Sequence, residues 1–216
     1  MTRAAAIVVV AALALAGAAG AVNRSGGGDD RLVGTPGPDH LSGAGGDDTV
    51  IGRGGRDGLN GGPGRDGVAG GPGNDNLSGG PGPDHLSGDN GDDRLFGQGG
   101  GDRLDAGSGD DSVYGGDGRD QLYGHAGADA LKGKAGHDTL YGDDGEDVLY
   151  GGDGPDTLTG GAGEDILRGG KGDDTFNARD GSQDLIDCGD GHDTVTVDRQ
   201  EDGVFNCETV HFPKGS

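Results

Sequence analysis

An aspartate stands at every ninth position, without a slip, through Asp30, Asp39, Asp48, Asp57, Asp66, Asp75, Asp84, Asp93, Asp102, Asp111, Asp120, Asp129, Asp138, Asp147, Asp156, Asp165 and Asp174. A strict short period of this kind is the mark of a stacked repeat, in which each unit buries its apolar side only against its neighbours. Two residues before every one of these aspartates stands a glycine, from Gly28 to Gly172. Five residues before there is glycine again, except at Ser25 and Ala106. Two residues after comes an apolar side chain: leucine in thirteen units, then Val50, Val68, Val113 and Phe176. The unit is G-(G/x)-x-G-x-D-x-L-x, and seventeen of them run in register from Ser25 to Asn177.

Each position of the unit has a physical reading. Seven of the eight prolines (36, 38, 63, 72, 81, 83 and 155) fall at positions three or five, and none at seven to nine. Proline cannot donate to a strand ladder, so positions seven to nine are expected to be a three-residue strand. Glycine at positions one and four permits left-handed backbone and close approach, so positions one to six are expected to be the turn. Strand side chains alternate between faces, which turns position eight to the core and positions seven and nine outward. Two units then close one coil, and repeats n and n+2 lie one above the other, ~4.8 Å apart, in parallel sheets. The expected fold is all-β: a parallel β-roll, or two-sheet β-solenoid, of seventeen or more nonapeptide repeats.

Composition limits what such a roll can do. Glycine accounts for 55 of 216 residues, only 29% of the chain is hydrophobic, and the net charge is −23. Glycine and aspartate are poor helix formers, which excludes a helical bundle. The acidic balance excludes nucleic acid as a partner, since phosphate contacts need a basic surface. No catalytic constellation is legible: G-x-S-x-G and H-E-x-x-H are absent, and the six histidines are scattered. A non-enzymatic protein is expected. Stacking the repeats also sets carboxylates of like charge in rows. A cation that seeks oxygen would relieve that repulsion, and calcium suits it, taking six to eight oxygens from carboxylates and carbonyls in flexible geometry. Magnesium asks for a strict octahedron and keeps its waters. Zinc prefers cysteine and histidine, which the unit lacks.

The unit resembles the G-G-x-G-x-D-x-U-x nonapeptide of the RTX, or hemolysin-type, calcium-binding repeats. That resemblance implies a parallel β-roll with multiple Ca²⁺ held between turns n and n+2. Its ligands would be the position-six side chains, that is the seventeen aspartates above, together with turn carbonyls. Asp193, which follows the restored turn pattern Cys188-Gly189-Asp190-Gly191-His192, is counted with them. On one edge nine turns leave eight gaps, and on the other eight turns leave seven, so up to fifteen ions fit within the regular repeats. Many members leave the cell by a C-terminal signal and carry an enzyme or toxin domain. This chain is expected to depart from that pattern on both counts.

The two ends are distinct. Residues 1–21 have a positive start at Arg3, an apolar run from Ala4 to Ala16, and Ala19-Gly20-Ala21 as a cleavage site, the pattern of a signal peptide. The run is too short to span a bilayer, so a secreted, extracellular protein with no membrane span after cleavage is expected. Residues 22–177 are the β-roll. Residues 178–216 are degenerate repeats and a cap, beginning with a ten-residue unit in which Asp184 and Ile186 take the Asp and Leu roles. Val195, Val197, Phe205, Val210 and Phe212 supply the cap with apolar side chains. The only cysteines, Cys188 and Cys207, lie here and are expected to pair in an exported protein.

All four tyrosines (114, 123, 141 and 150) sit at position nine and should face outward. Tyr123 and Tyr141 fall on one sheet, and Phe96, Tyr114, Lys132 and Tyr150 on the other. Cross-strand stacking accounts for them. The alternative is an adhesion or interaction scaffold, stiffened by calcium, that meets a protein or surface partner through this stripe.

Overall fold

The computed structural model describes residues 22–198 and 203–212. The signal-like segment 1–21 lies outside the described residues. The described chain contains twenty-two strands and no helix, arranged as two parallel sheets of eleven strands each. Successive strands alternate between the sheets, so that each pairs with the next but one. The register is that of the repeat: Leu104 pairs with Leu122, and Leu122 with Leu140. Where the ten-residue unit intervenes, the spacing becomes nineteen and the ladder holds, Leu167 facing Ile186 and Phe176 facing Val195.

Position eight forms the core as the alternation requires. The series from Leu32 to Phe176 is at most 3% exposed, each such side chain contributing ~1.5–3 kcal/mol of burial. Position one faces the same way, because it lies two residues beyond position eight. Where it is apolar it joins the core, as Ala106, Ala178, Cys188 and Val197 do. Cys188 and Cys207 form a disulfide with their Cα atoms 5.2 Å apart.

Two expectations need correction. The strands are three residues long only at the two ends, such as Arg31–Val33 and Thr49–Ile51 at one and Gly203–Phe205 and Thr209–His211 at the other. From Gly67–Pro72 onward nearly all run six or seven residues, through positions one to three. The backbone ladder persists there, with the Gly62 N–H donating to the Gly79 carbonyl and the Gly64 N–H to the Pro81 carbonyl. Proline is tolerated at position three because it ends the strand, as Pro72 and Pro81 do. The first sheet begins with Val22–Arg24, which pairs with His40–Ser42. In the cap, Val204 faces inward opposite Ile186, whereas Phe205 and Phe212 are 54% and 51% exposed. Phe205 lies opposite Asp187 at an outward position, so alternation overrides its hydrophobicity.

Candidate metal centres

The turns gather the position-six aspartates into two rows, one along each edge of the roll. From Asp39 to Asp174 every one is at most 4% exposed, as is Asp193. Their orientation is fixed by a repeated bond. The Oδ1 of each accepts the backbone N–H of the position-six aspartate one turn earlier on the same edge, as in Asp84 N–H to Asp102 Oδ1 at 2.9 Å and Asp102 N–H to Asp120 Oδ1 at 2.8 Å. The row ends differ. Asp30 is half-buried, and the carboxylate of Asp39 accepts the N–H and hydroxyl of Thr35.

The second oxygen is the chemically informative one. From Asp48 through Asp174, and again at Asp193, Oδ2 is buried and accepts no hydrogen bond. An unsatisfied buried carboxylate oxygen is costly, and one per turn requires a partner outside the chain. Backbone oxygen lies close by. A methyl carbon placed on Gly115 would lie 2.5 Å from Asp120 Oδ2 and 2.9 Å from the Gly133 carbonyl oxygen of the turn above. The position-four glycines face the carbonyls of the adjacent turn in the same way. A methyl carbon on Gly136 would strike the Gly118 carbonyl oxygen and lie 3.2 Å from Asp138 Oδ1. Glycine at positions one and four therefore keeps a small, oxygen-lined space open between stacked turns. Among the described residues no group of three or more His, Cys, Asp or Glu side chains converges on a metal position. Carboxylate oxygens supplemented by carbonyls are thus the donors the gaps offer, an all-oxygen set that fits a hard cation such as Ca²⁺.

Electrostatics give the same account. Burial pushes the carboxyls of Asp84, Asp93, Asp111, Asp156 and Asp165 up to about 7. It pushes those of Asp57, Asp66, Asp102, Asp129, Asp138, Asp147 and Asp174 to about 6. The N–H of the neighbouring turn opposes this rise, and nearby aspartates of the rows add to it. The rows hold charge poorly without a counter-cation, which is the condition of a cation site.

Two row members escape the nine-residue count. Asp184 is 2% exposed and its Oδ1 accepts the Asp165 N–H at 3.0 Å, so it occupies the position-six place despite the extra residue before it. Glu208 closes the other row by accepting the Asp193 N–H at 2.8 Å. The signal for Glu208 is local: Glu208-Thr209-Val210 repeats Asp193-Thr194-Val195, and the two segments pair in the second sheet.

Comparison with curated proteins gives no match. The family model described as the RTX calcium-binding nonapeptide repeat matches at residues 24–59, 33–68, 69–104, 96–131, 123–158, 150–182 and 159–195. These segments follow one another along the region that forms the two sheets. The number of repeats implies several calcium ions per chain. Fold, repeat and family model agree: the chain belongs to the RTX calcium-binding nonapeptide repeat family.

Proposed function

We propose that this is an exported protein whose activity is to bind many Ca²⁺ between stacked turns and to fold as it does so. The observation that carries the reading is the row of buried Oδ2 atoms without a hydrogen-bond partner, one per turn from Asp48 to Asp174. On this reading the position-six aspartates from Asp30 to Asp174, with Asp184 and Asp193, hold the ions through Oδ2, and the glycine carbonyls of adjacent turns complete each set. Calcium supplies positive charge and oxygen coordination. The chain supplies orientation through the Oδ1 bonds, and space through the glycines. Export is supported by the signal-like residues 1–21 and by the Cys188–Cys207 disulfide, a bond that persists in oxidising compartments.

Metal-coupled folding is the expected behaviour of a site whose donors meet only in the fold. Calorimetry and metal analysis on the mature chain should give a stoichiometry on the order of ten to fifteen ions, each held with Kd ~10⁻⁴–10⁻³ M as in extracellular modules. Saturation at one or two ions per chain refutes the stacked-site reading.

A further inference from the structure

The two edges of the roll differ in charge over the middle repeats. Position five on the edge of the first sheet carries Arg56, Asp92, Asp110, Glu146 and Glu164. On the edge of the second sheet, between residues 65 and 137, positions five and seven carry Arg65, His85, Arg103, Arg119 and His137, and no Asp or Glu. Pro83 and Gly101 stand between Arg65 and Arg119 at position five and reach little into solvent, leaving an open cleft of about 310 Å³ lined by Arg65, His85, Arg103, Arg119 and Gln121. A second recess of about 230 Å³, between Arg119 and His137, prolongs it. Arg65 and Arg119 are exposed and form no ion pair among the described residues.

Three carboxylates floor the cleft, and on the calcium reading the metal meets their charge. Asp66, Asp84 and Asp102 are buried, with Oδ1 tied to the turn before. At the rim Asp105 is shared by Arg103 at 2.9 Å, His125 at 3.4 Å and His85 at 3.8 Å. Beside the cations lies an aromatic platform. Tyr123 stacks on Tyr141 with centroids 5.1 Å apart, and the Arg103 guanidinium lies 4.1 Å from the Tyr123 ring centroid.

We infer that this cleft binds an anionic polysaccharide, a chain of sugar rings bearing carboxylate or sulfate groups, laid along the roll axis. Arg65 and Arg119 are three coils apart, ~14 Å at the strand spacing, so they suit spaced charges on a linear ligand. Guanidinium binds carboxylate and sulfate in bidentate fashion, and the Tyr123 ring holds the Arg103 guanidinium in place at the rim. A nucleic acid is disfavoured, because its phosphates recur every ~3.4 Å along a strand whereas Arg65 and Arg119 stand ~14 Å apart. The inference rests on the calcium-folded roll as a scaffold.

The test uses the full mature chain in excess calcium, with its fold checked by circular dichroism before each titration. Hyaluronate provides the carboxylated probe, chondroitin sulfate the sulfated one, dextran the neutral control, and single-stranded DNA the competing polyanion. Hyaluronate or chondroitin sulfate should bind, and dextran should not. The double variant Arg65→Ser/Arg119→Ser should weaken binding about tenfold. Tyr123→Ser should weaken it further, and Arg56→Ser, which removes the same charge from the opposite edge, should leave it unchanged. Circular dichroism and calcium titration should be the same in all these variants, which separates failure of the cleft from failure of calcium folding. The inference is overturned if neither glycan binds a folded chain, if Arg56→Ser weakens binding as much as the cleft variants, or if DNA binds as tightly as the glycans.

Discussion

Removing calcium should make the fold of this chain depend on pH in an unusual direction. Carboxyls raised from 3.8 to about 7, as at Asp84, Asp93, Asp111, Asp156 and Asp165, resist ionisation within the roll. At 1.36 kcal/mol per pH unit, holding one such group ionised costs the metal-free fold about 4 kcal/mol, and a group raised to about 6, such as Asp102, costs about 3 kcal/mol. A few of these exhaust the ~5–15 kcal/mol that stabilises an ordinary domain, and the rows contain a dozen. The sign follows from proton counting. Between roughly pH 4 and 7 the metal-free fold binds more protons than the unfolded chain, so its stability falls as pH rises through that window. With chelator present, far-UV circular dichroism should report more β-structure at pH 5 than at pH 8, and an unfolded chain at pH 8. With calcium present protons and metal compete for the same Oδ2 atoms, so the calcium concentration at the folding midpoint should rise as pH is lowered from 8 to 5. A chain that stays folded at pH 8 in excess chelator refutes the reasoning. So does a calcium midpoint that falls as the pH is lowered.

Asp102→Ala should lower the bound calcium by two ions, because the Asp102 turn borders a gap on each side, whereas Asp30→Ala at the row end should remove at most one; metal analysis at saturation distinguishes the two. Gly115→Ala puts a methyl group 2.5 Å from Asp120 Oδ2, and should raise the calcium midpoint without altering the spectrum of the saturated fold. Reducing the Cys188–Cys207 disulfide should cost ~3 kcal/mol on a chain-entropy basis, and a thermal melt in calcium with and without reductant measures it. Leu122→Ala, at a fully buried core position, should destabilise the calcium-loaded roll by ~2–5 kcal/mol in the same assay.

The period of nine made much of this molecule legible. Proline placement separated strand from turn, and the single apolar position identified the core from Leu32 to Phe176. The spacing of Tyr123 and Tyr141 put them on one sheet, where they stack, and that of Phe96 and Tyr114 on the other, where their rings lie 5.0 Å apart. What the period hid was set by vertical pairing rather than by position along the chain. Positions one to three look like turn because glycine dominates them, yet a ladder on both sides holds them in strand. Position two accepts varied side chains, but apart from Thr35 its non-glycine residues adopt left-handed backbone, with φ of 90° at Arg53, 76° at His125 and 88° at Lys134. Such geometry costs of order 1–3 kcal/mol per residue and persists only when the surroundings impose it.

The same principle explains the cap and the cleft. Asp184 and Glu208 are displaced in sequence, by one inserted residue and by a shortened unit, so counting by nine misses them. Each is nonetheless placed beneath a backbone N–H from the preceding turn, Asp165 in one case and Asp193 in the other. What is conserved along the rows is therefore a vertical partner, and a carboxylate that finds one enters the row whatever its number in the unit. On the cleft edge the adjacency is of a different kind. Arg65, His85, Arg103 and Arg119 span 55 residues of sequence and read singly as tolerated surface substitutions. Coiling sets them along one edge with only small residues between, and that is how a strongly acidic chain acquires a local cationic face.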